Sequence, residues 1–148
     1  MACCEVIPLR HKLLRQGKPI ETCFFDNDEA QFSRHFGVLL KGVKKTGDPQ
    51  KNLLAIASLY RVNLPGDNKC DAWQLRGMAT DIPFRRQGIA ITLLHHCIEY
   101  VRNQGGEMIW CNARIESVRL YQRSGFDVLG EEFDIPGVGK HFRMSCSL

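Results

Sequence analysis

Residues Trp73 to Ala90 read WQLRGMATDIPFRRQGIA, an extended run that ends in the turn RRQGIA (Arg85–Ala90) at the head of an amphipathic segment, IAITLLHHCIEYVRNQ. A strand that passes through a glycine turn into a helix makes a place for an anion. The first amides of a helix have no acceptor inside it, and the helix dipole adds partial positive charge at that end. Gly88 carries no side chain to hold a ligand off the backbone, and Arg85 and Arg86 bring planar donor forks suited to phosphate oxygens. The turn therefore predicts a phosphorylated ligand, a cofactor before anything else.

Downstream, Ala90, Leu93, Leu94, Cys97, Ile98 and Val101 recur at the spacing of a helix lying on a sheet, and Gln104-Gly105-Gly106 should stop it. EMIWCNAR then predicts a central strand, followed by a helix over Glu116 to Ser124 closed by Gly125. FDVLGEEF and KHFRMSCSL predict two last strands, joined by a loop around Pro136, Gly137 and Gly139. That loop is too short for a dinucleotide fingerprint and reads as a turn.

Upstream, Cys4 to Leu9 predicts a first strand, and RHKLLRQGKP a short helical turn stopped by Gly17 and Pro19. After the acidic stretch FFDNDEA, the pieces SRHFGVLLKGV, KKTGDPQKN and LLAIASLYRVNL suggest an antiparallel hairpin, ended by Pro65-Gly66-Asp67-Asn68. Trp73 to Asp81 should pair beside it. The sum is a mixed α/β domain, with helices packed on a largely antiparallel sheet.

Composition bounds the rest. A chain of 148 residues with 44% hydrophobic residues fits one domain, residues 1–148, with its own core. The net charge of +4 is scattered through the chain, a mild attraction to anions and no nucleic-acid footprint. Seven cysteines at irregular spacing form no zinc ligand pattern, and no metal is expected. They suit free thiols in a reducing cytoplasm, with Cys97 and Cys111 as small core residues. The start MACCEV has no cationic and apolar leader pattern, and the longest apolar run, about LLAIASLY, is too short to cross a bilayer, so a soluble intracellular protein with no membrane partner is expected. His95 and His96 flank the apolar stripe of their helix and should lie on the surface.

Two motifs in order, Arg85-x-x-Gly88-x-Ala90 at a strand-to-helix turn and Tyr121-x-x-x-Gly125-Phe126 some thirty residues on, resemble those of the GNAT superfamily of N-acetyltransferases. The resemblance is strongest over Trp73 to Phe126 and is closest to a bacterial-type subgroup with no nameable acceptor. It implies an acyl-CoA N-acyltransferase fold with about six or seven strands, and acetyl-CoA as cosubstrate. The pyrophosphate would rest on amides of Gln87, Gly88, Ile89 and Ala90, bordered by Arg85 and Arg86. The pantetheine arm would pair like an added strand with Met78, Ala79 and Thr80, where the sheet splays, and would meet Asn112.

The implied reaction is direct transfer of an acetyl group to a primary amine of a small molecule or a peptide. Tyr121 would be the acid for the departing thiolate, and a strand amide near Met78 a donor to the oxyanion. Relatives of the histone-acetylating type carry a glutamate base where Gln74 stands here, so the base stays open among His35, His141, Glu131, Glu132, Asp81 and a water chain. Cys111, mid-strand and without a basic partner nearby in sequence, is a poor nucleophile. Asp26, Asp28 and Glu29 suggest a wall for a cationic amine or polyamine. The resemblance allows a homodimer and fixes no partner surface. The alternative is a non-catalytic CoA-binding sensor or interaction module on the same fold.

Overall fold

The computed structural model describes residues 1–42 and 52–148. Among the described residues three α-helices, α1 (Cys3–Leu14), α2 (Ile89–Asn103) and α3 (Val118–Arg123), accompany six strands: β1 (Arg34–Leu39), β2 (Leu53–Tyr60), β3 (Ala72–Thr80), β4 (Met108–Arg114), β5 (Asp127–Ile135) and β6 (Gly139–Ser147). The strands form one sheet in the order β1-β2-β3-β4-β6-β5. Pairs β1–β2, β4–β6 and β5–β6 are antiparallel and β3–β4 is parallel, as a strand-helix-strand crossover requires. The expected mixed α/β sheet flanked by helices is therefore present. No helix among the described residues is long and apolar enough to cross a membrane.

The chain forms two compact units. The first comprises Met1–Tyr60 and Gly77–Leu94. Its β1–β2 hairpin is the expected one, with Arg34 opposite Leu59 and Val38 opposite Ala55. The turn expected over 44–52 lies, apart from Asn52, outside the described residues.

The strand expected at Cys4–Leu9 is absent: those residues are the first half of α1. As a helix, Val6, Leu9, Arg10 and Leu13 fall on one stripe. Val6, Leu9, Leu53, Ile56 and Ala79 form a core cluster joined by Leu13 and Leu14. Pro8 inside the helix removes one backbone donor, a cost of about 3 kcal/mol. Burial of Val6, Ile7 and Leu9, worth about 1.5–3 kcal/mol each, outweighs it. The Glu5 carboxylate also accepts from the Ala2 amide at 2.6 Å, satisfying a donor at the helix start.

The second unit comprises Arg61–Arg76 and His95–Leu148. Here β4 lies with β3 on one side (Gln74 opposite Trp110, Leu75 opposite Cys111) and β6 on the other (Asn112 opposite Arg143, Arg114 opposite His141). Trp73, Cys97, Val101, Ile109, Cys111, Phe126 and Met144 are buried in its interior. The end of α2 falls at the expected glycines: Gly105 adopts φ +76°, and the Gly106 amide returns to the Val101 carbonyl at 3.0 Å. The helix expected at 116–124 is split into a 3₁₀ turn over Ile115–Ser117 and α3.

Candidate active site: an open amide cradle and a buried tyrosine

The turn that follows β3 is built by local bonds within the first unit. Asp81 accepts from the Ile82 amide at 2.9 Å and from Lys12 Nζ at 2.8 Å, which starts a 3₁₀ turn over Ile82–Phe84. Arg85 Nε donates to the Thr80 carbonyl at 3.0 Å and Gln87 Nε2 to that of Pro83 at 3.2 Å. Arg86 (φ +61°) and Gly88 (φ +79°) are both left-handed, which curls successive amides toward one side.

The first closing bond of the helix runs from the Thr92 amide to the Gly88 carbonyl, 3.0 Å. Before it, the amides of Arg86, Gln87, Gly88, Ile89, Ala90 and Ile91 donate to no acceptor among the described residues. No acidic side chain occupies the first turn of α2. Arg85 to Gly88 are exposed. Exposed, unfilled donors with an arginine at each of two adjacent positions suit an anion with several oxygens.

Met78, Ala79 and Thr80 lead into this turn from Gly77, whose φ of +62° interrupts the regular strand. A Cβ at Gly77 would stand 3.0 Å from Phe25 Cε2 and 3.1 Å from Arg10 Nε, so glycine is required there both by conformation and by space.

In the second unit, Asn112 is half-buried on β4, and its Oδ1 lies 3.4 Å from Arg143 Nε, a long contact. Tyr121 on α3 is buried, packs edge-on against Phe126 at 5.3 Å and shares a hydrogen bond with Cys111. Burial first, then the neighbouring Cys111 and Cys97 sulfurs, pushes its hydroxyl well above the ordinary tyrosine value. The phenol therefore keeps its proton across the physiological range. Cys111 is pushed up to about 12 by burial, against a lowering contribution from Tyr121, so it stays a thiol and fails as a nucleophile.

The acidic stretch near residue 28 is not a free wall for a cation. Asp28 is buried, and Arg10 grips it with Nη1 to Oδ2 at 2.7 Å and Nη2 to Oδ1 at 3.0 Å. Tyr60 donates to the same carboxylate, and the Phe25 amide adds a bond at 2.8 Å. Burial alone would raise the carboxyl, but the bonds from Arg10, Tyr60 and Phe25 overcome it and hold it at about 2. Only Asp26 and Glu29 remain exposed there. The ligand atoms of Cys3, Asp28 and His35 lie within 4.8 Å of one another, yet Asp28 and His35 are already committed to other bonds.

The structure also sorts the candidate bases. His35 Nδ1 meets Ser58 Oγ at 2.8 Å and Nε2 meets the Asp28 carbonyl at 2.9 Å, so neither nitrogen is available. Burial lowers its pKa despite the Asp28 carbonyl, and Arg10 lowers it further. Asp81 is paired with Lys12, and Glu132 with Lys140 at 2.6 Å. Glu131 is exposed on β5, and Gln74 is half-buried on β3. His141 is buried at the start of β6 and bonded through Nδ1 alone. His95 and His96 are exposed, as their positions on α2 predict.

Sequence reading missed the buried Arg10, Ser58 and Tyr60. A signal existed: Arg10 stands four residues after Val6 on the apolar stripe of α1, and a charged residue there needs a buried partner.

A family model described as an acetyltransferase (GNAT) domain matches residues 55–148. The protein of Bacillus subtilis (strain 168) named "Uncharacterized N-acetyltransferase YitI" is 37% identical over 144 residues, covering 97% of this chain and 91% of the relative. The chain belongs to the GNAT acetyltransferase family, and so to the acyltransferases. Among solved structures, a chain of the NatC complex bound to Gag peptide and CoA matches at a TM-score of 0.75, with 16% identity over 99% of this chain and 91% of that one. The ribosomal-protein-S18-alanine N-acetyltransferase of Escherichia coli matches at 0.72, with 18% identity over 98% and 86%. At such identities these two bear on the fold alone.

Proposed function

We propose that residues 1–148 form one acetyl-CoA dependent N-acetyltransferase domain that moves the acetyl group to a primary amine by direct attack while both substrates are bound. The observation that carries this reading is the run of unfilled amides from Arg86 to Ile91 beside two exposed arginines. Such donors fit the pyrophosphate of coenzyme A, and a related structure was solved with CoA. In this reading Gln87, Gly88, Ile89 and Ala90 hold the pyrophosphate, with Arg85 and Arg86 on its flanks. Met78, Ala79 and Thr80 bond the pantetheine amides, and Asn112 contacts the arm.

The amine nitrogen attacks the thioester carbonyl, the C–S bond breaks, and the sulfur takes its proton from the Tyr121 hydroxyl. The amine gives up its own proton to a base. A phenol held protonated is a suitable donor to a forming thiolate. Fixing both reactants together supplies much of the rate through orientation. The acceptor is an amine of a small molecule or a protein, and seven free thiols suit a cytoplasmic setting.

Thermal unfolding with acetyl-CoA, with CoA and without ligand tests the donor, and a saturating donor should add about 2.7 kcal/mol at 100 times its Kd. No stabilisation by either ligand overturns the reading. Thiol release across an amine panel then tests transfer, and Tyr121→Phe should lower kcat about 100-fold with the KM for acetyl-CoA unchanged. Binding without any amine-driven turnover would favour the sensor function instead.

A further inference from the structure

Direct transfer needs a group that takes a proton from the attacking amine, and we propose that His141 is that general base. The inference rests on the transfer reading above. His141 Nδ1 lies 2.7 Å from the Gly139 carbonyl oxygen. A carbonyl only accepts, so in the neutral ring Nδ1 carries the hydrogen and Nε2 carries the lone pair. Nε2 bonds to nothing among the described residues and is not sealed from solvent. The ring is held in place, tilted 30° against Phe133 with centroids 6.0 Å apart. It is thus an oriented imidazole with one open valence.

The sheet register identifies the residues that share a face with this ring. Residues directly opposed in an antiparallel pair share a face. His141 is opposed by Arg114 on β4 and Phe133 on β5, and two residues along, Arg143 is opposed by Asn112. Arg143 also lies over the Trp110 and Phe133 rings at 5.6 and 5.8 Å. The charged groups that the register puts on this face are Arg114 and Arg143, with Asp127 opposite Ser145 and Arg76 two residues beyond Gln74, and β5 contributes an aromatic ring.

Cys111 and Ala113 alternate to the opposite face of β4, where Cys111 bonds Tyr121. Base and acid thus stand on opposite faces of β4. In the transfer step the nitrogen adds to the carbonyl carbon before the sulfur departs, and each of the two proton transfers can be served by its own group. The proton leaves the amine nitrogen for His141 Nε2, and a second proton passes from Tyr121 to sulfur. Solvent exchange restores both groups after release.

The test compares the native chain with His141→Gln and His141→Asn, using acetyl-CoA with ethylamine, glycinamide and 2,2,2-trifluoroethylamine as acceptors. The variants should keep the native thermal shift with acetyl-CoA. They should lose about 100-fold or more in kcat/KM, together with the acid limb of its pH profile. The loss should be smallest for trifluoroethylamine, which is neutral at the assay pH, and added imidazole should restore part of the rate. Native activity that survives His141→Gln with an unchanged pH profile overturns the base and leaves the transferase reading intact. A native chain that binds acetyl-CoA but acetylates no amine overturns both. If the variants do not fold, side-chain ¹⁵N NMR of the native protein decides: a hydrogen on Nδ1 is expected, and a hydrogen on Nε2 overturns the assignment.

Discussion

His35 and His141 are buried to nearly the same degree, 6% and 4% exposed, yet their surroundings differ in kind. His35 sits in a saturated network. Its Nε2 hydrogen goes to the Asp28 carbonyl, and its Nδ1 accepts from Ser58, whose oxygen accepts in turn from Arg10 Nη2 at 2.8 Å. Arg10 also bonds the Cys23 carbonyl at 2.9 Å and Tyr60 at 3.0 Å. His141 has one bond and one open nitrogen. Burial alone does not separate a structural histidine from a chemical one; the unfilled valence does.

The comparison breaks most visibly through Arg10. Arg10→Met would leave the Asp28 carboxylate buried and unpaired, and should cost about 3–5 kcal/mol in urea unfolding. Stability unchanged by that substitution would mean the network carries no load.

Acid should expose the same asymmetry. The Asp28 carboxyl is depressed from 3.8 to about 2 in the folded protein, so its contribution is present above 3.8 and is lost as pH falls toward 2. That depression is worth on the order of 2 kcal/mol. His35 adds to the loss earlier. Its folded pKa is lowered below 6.5, so the unfolded chain binds the proton more readily and stability falls once pH drops through 6.5. Unfolding free energies measured from pH 7 to 2 should decline over both ranges, and Asp28→Asn should flatten the lower one.

The smallest effect is the sharpest discriminator. His35→Gln should cost about 1–2 kcal/mol of stability because it disturbs bonds to two buried partners. His141→Gln, which loses one bond to the Gly139 carbonyl, should cost less than about 1 kcal/mol while removing most activity. Equal stability losses at the two positions would erase the distinction drawn here.

Much of this architecture was legible in local pattern. The stripe from Leu93 to Val101 identifies α2, the two glycines after Gln104 end it, and alternation around Asn112 and Arg143 marks β4 and β6. The cradle was legible for the same reason, since its donors, its glycine and its arginines lie within a few consecutive residues. The first helix was not. Pro8 and the β-branched Val6 and Ile7 favour an extended reading, and only burial against Leu53, Ile56 and Ala79, far along the chain, reverses it.

The candidate base was illegible for a further reason. Five histidines are indistinguishable by type, and what sorts them is who bonds each ring nitrogen. For His35 that partner is Ser58, 23 residues away. For Asp28, read from sequence as an open carboxylate, it is Arg10, 18 residues away.

The sequence by itself determined the family, the strand-turn-helix anion cradle and the periodic elements, because those depend on neighbours within a turn or two of chain. The tertiary structure alone decided that Asp28 is spent on Arg10, that His35 is closed and that His141 keeps a free nitrogen. Each of those depends on a hydrogen-bonding valence being filled or left open, by a residue remote in sequence or by a carbonyl that only a particular turn brings within reach.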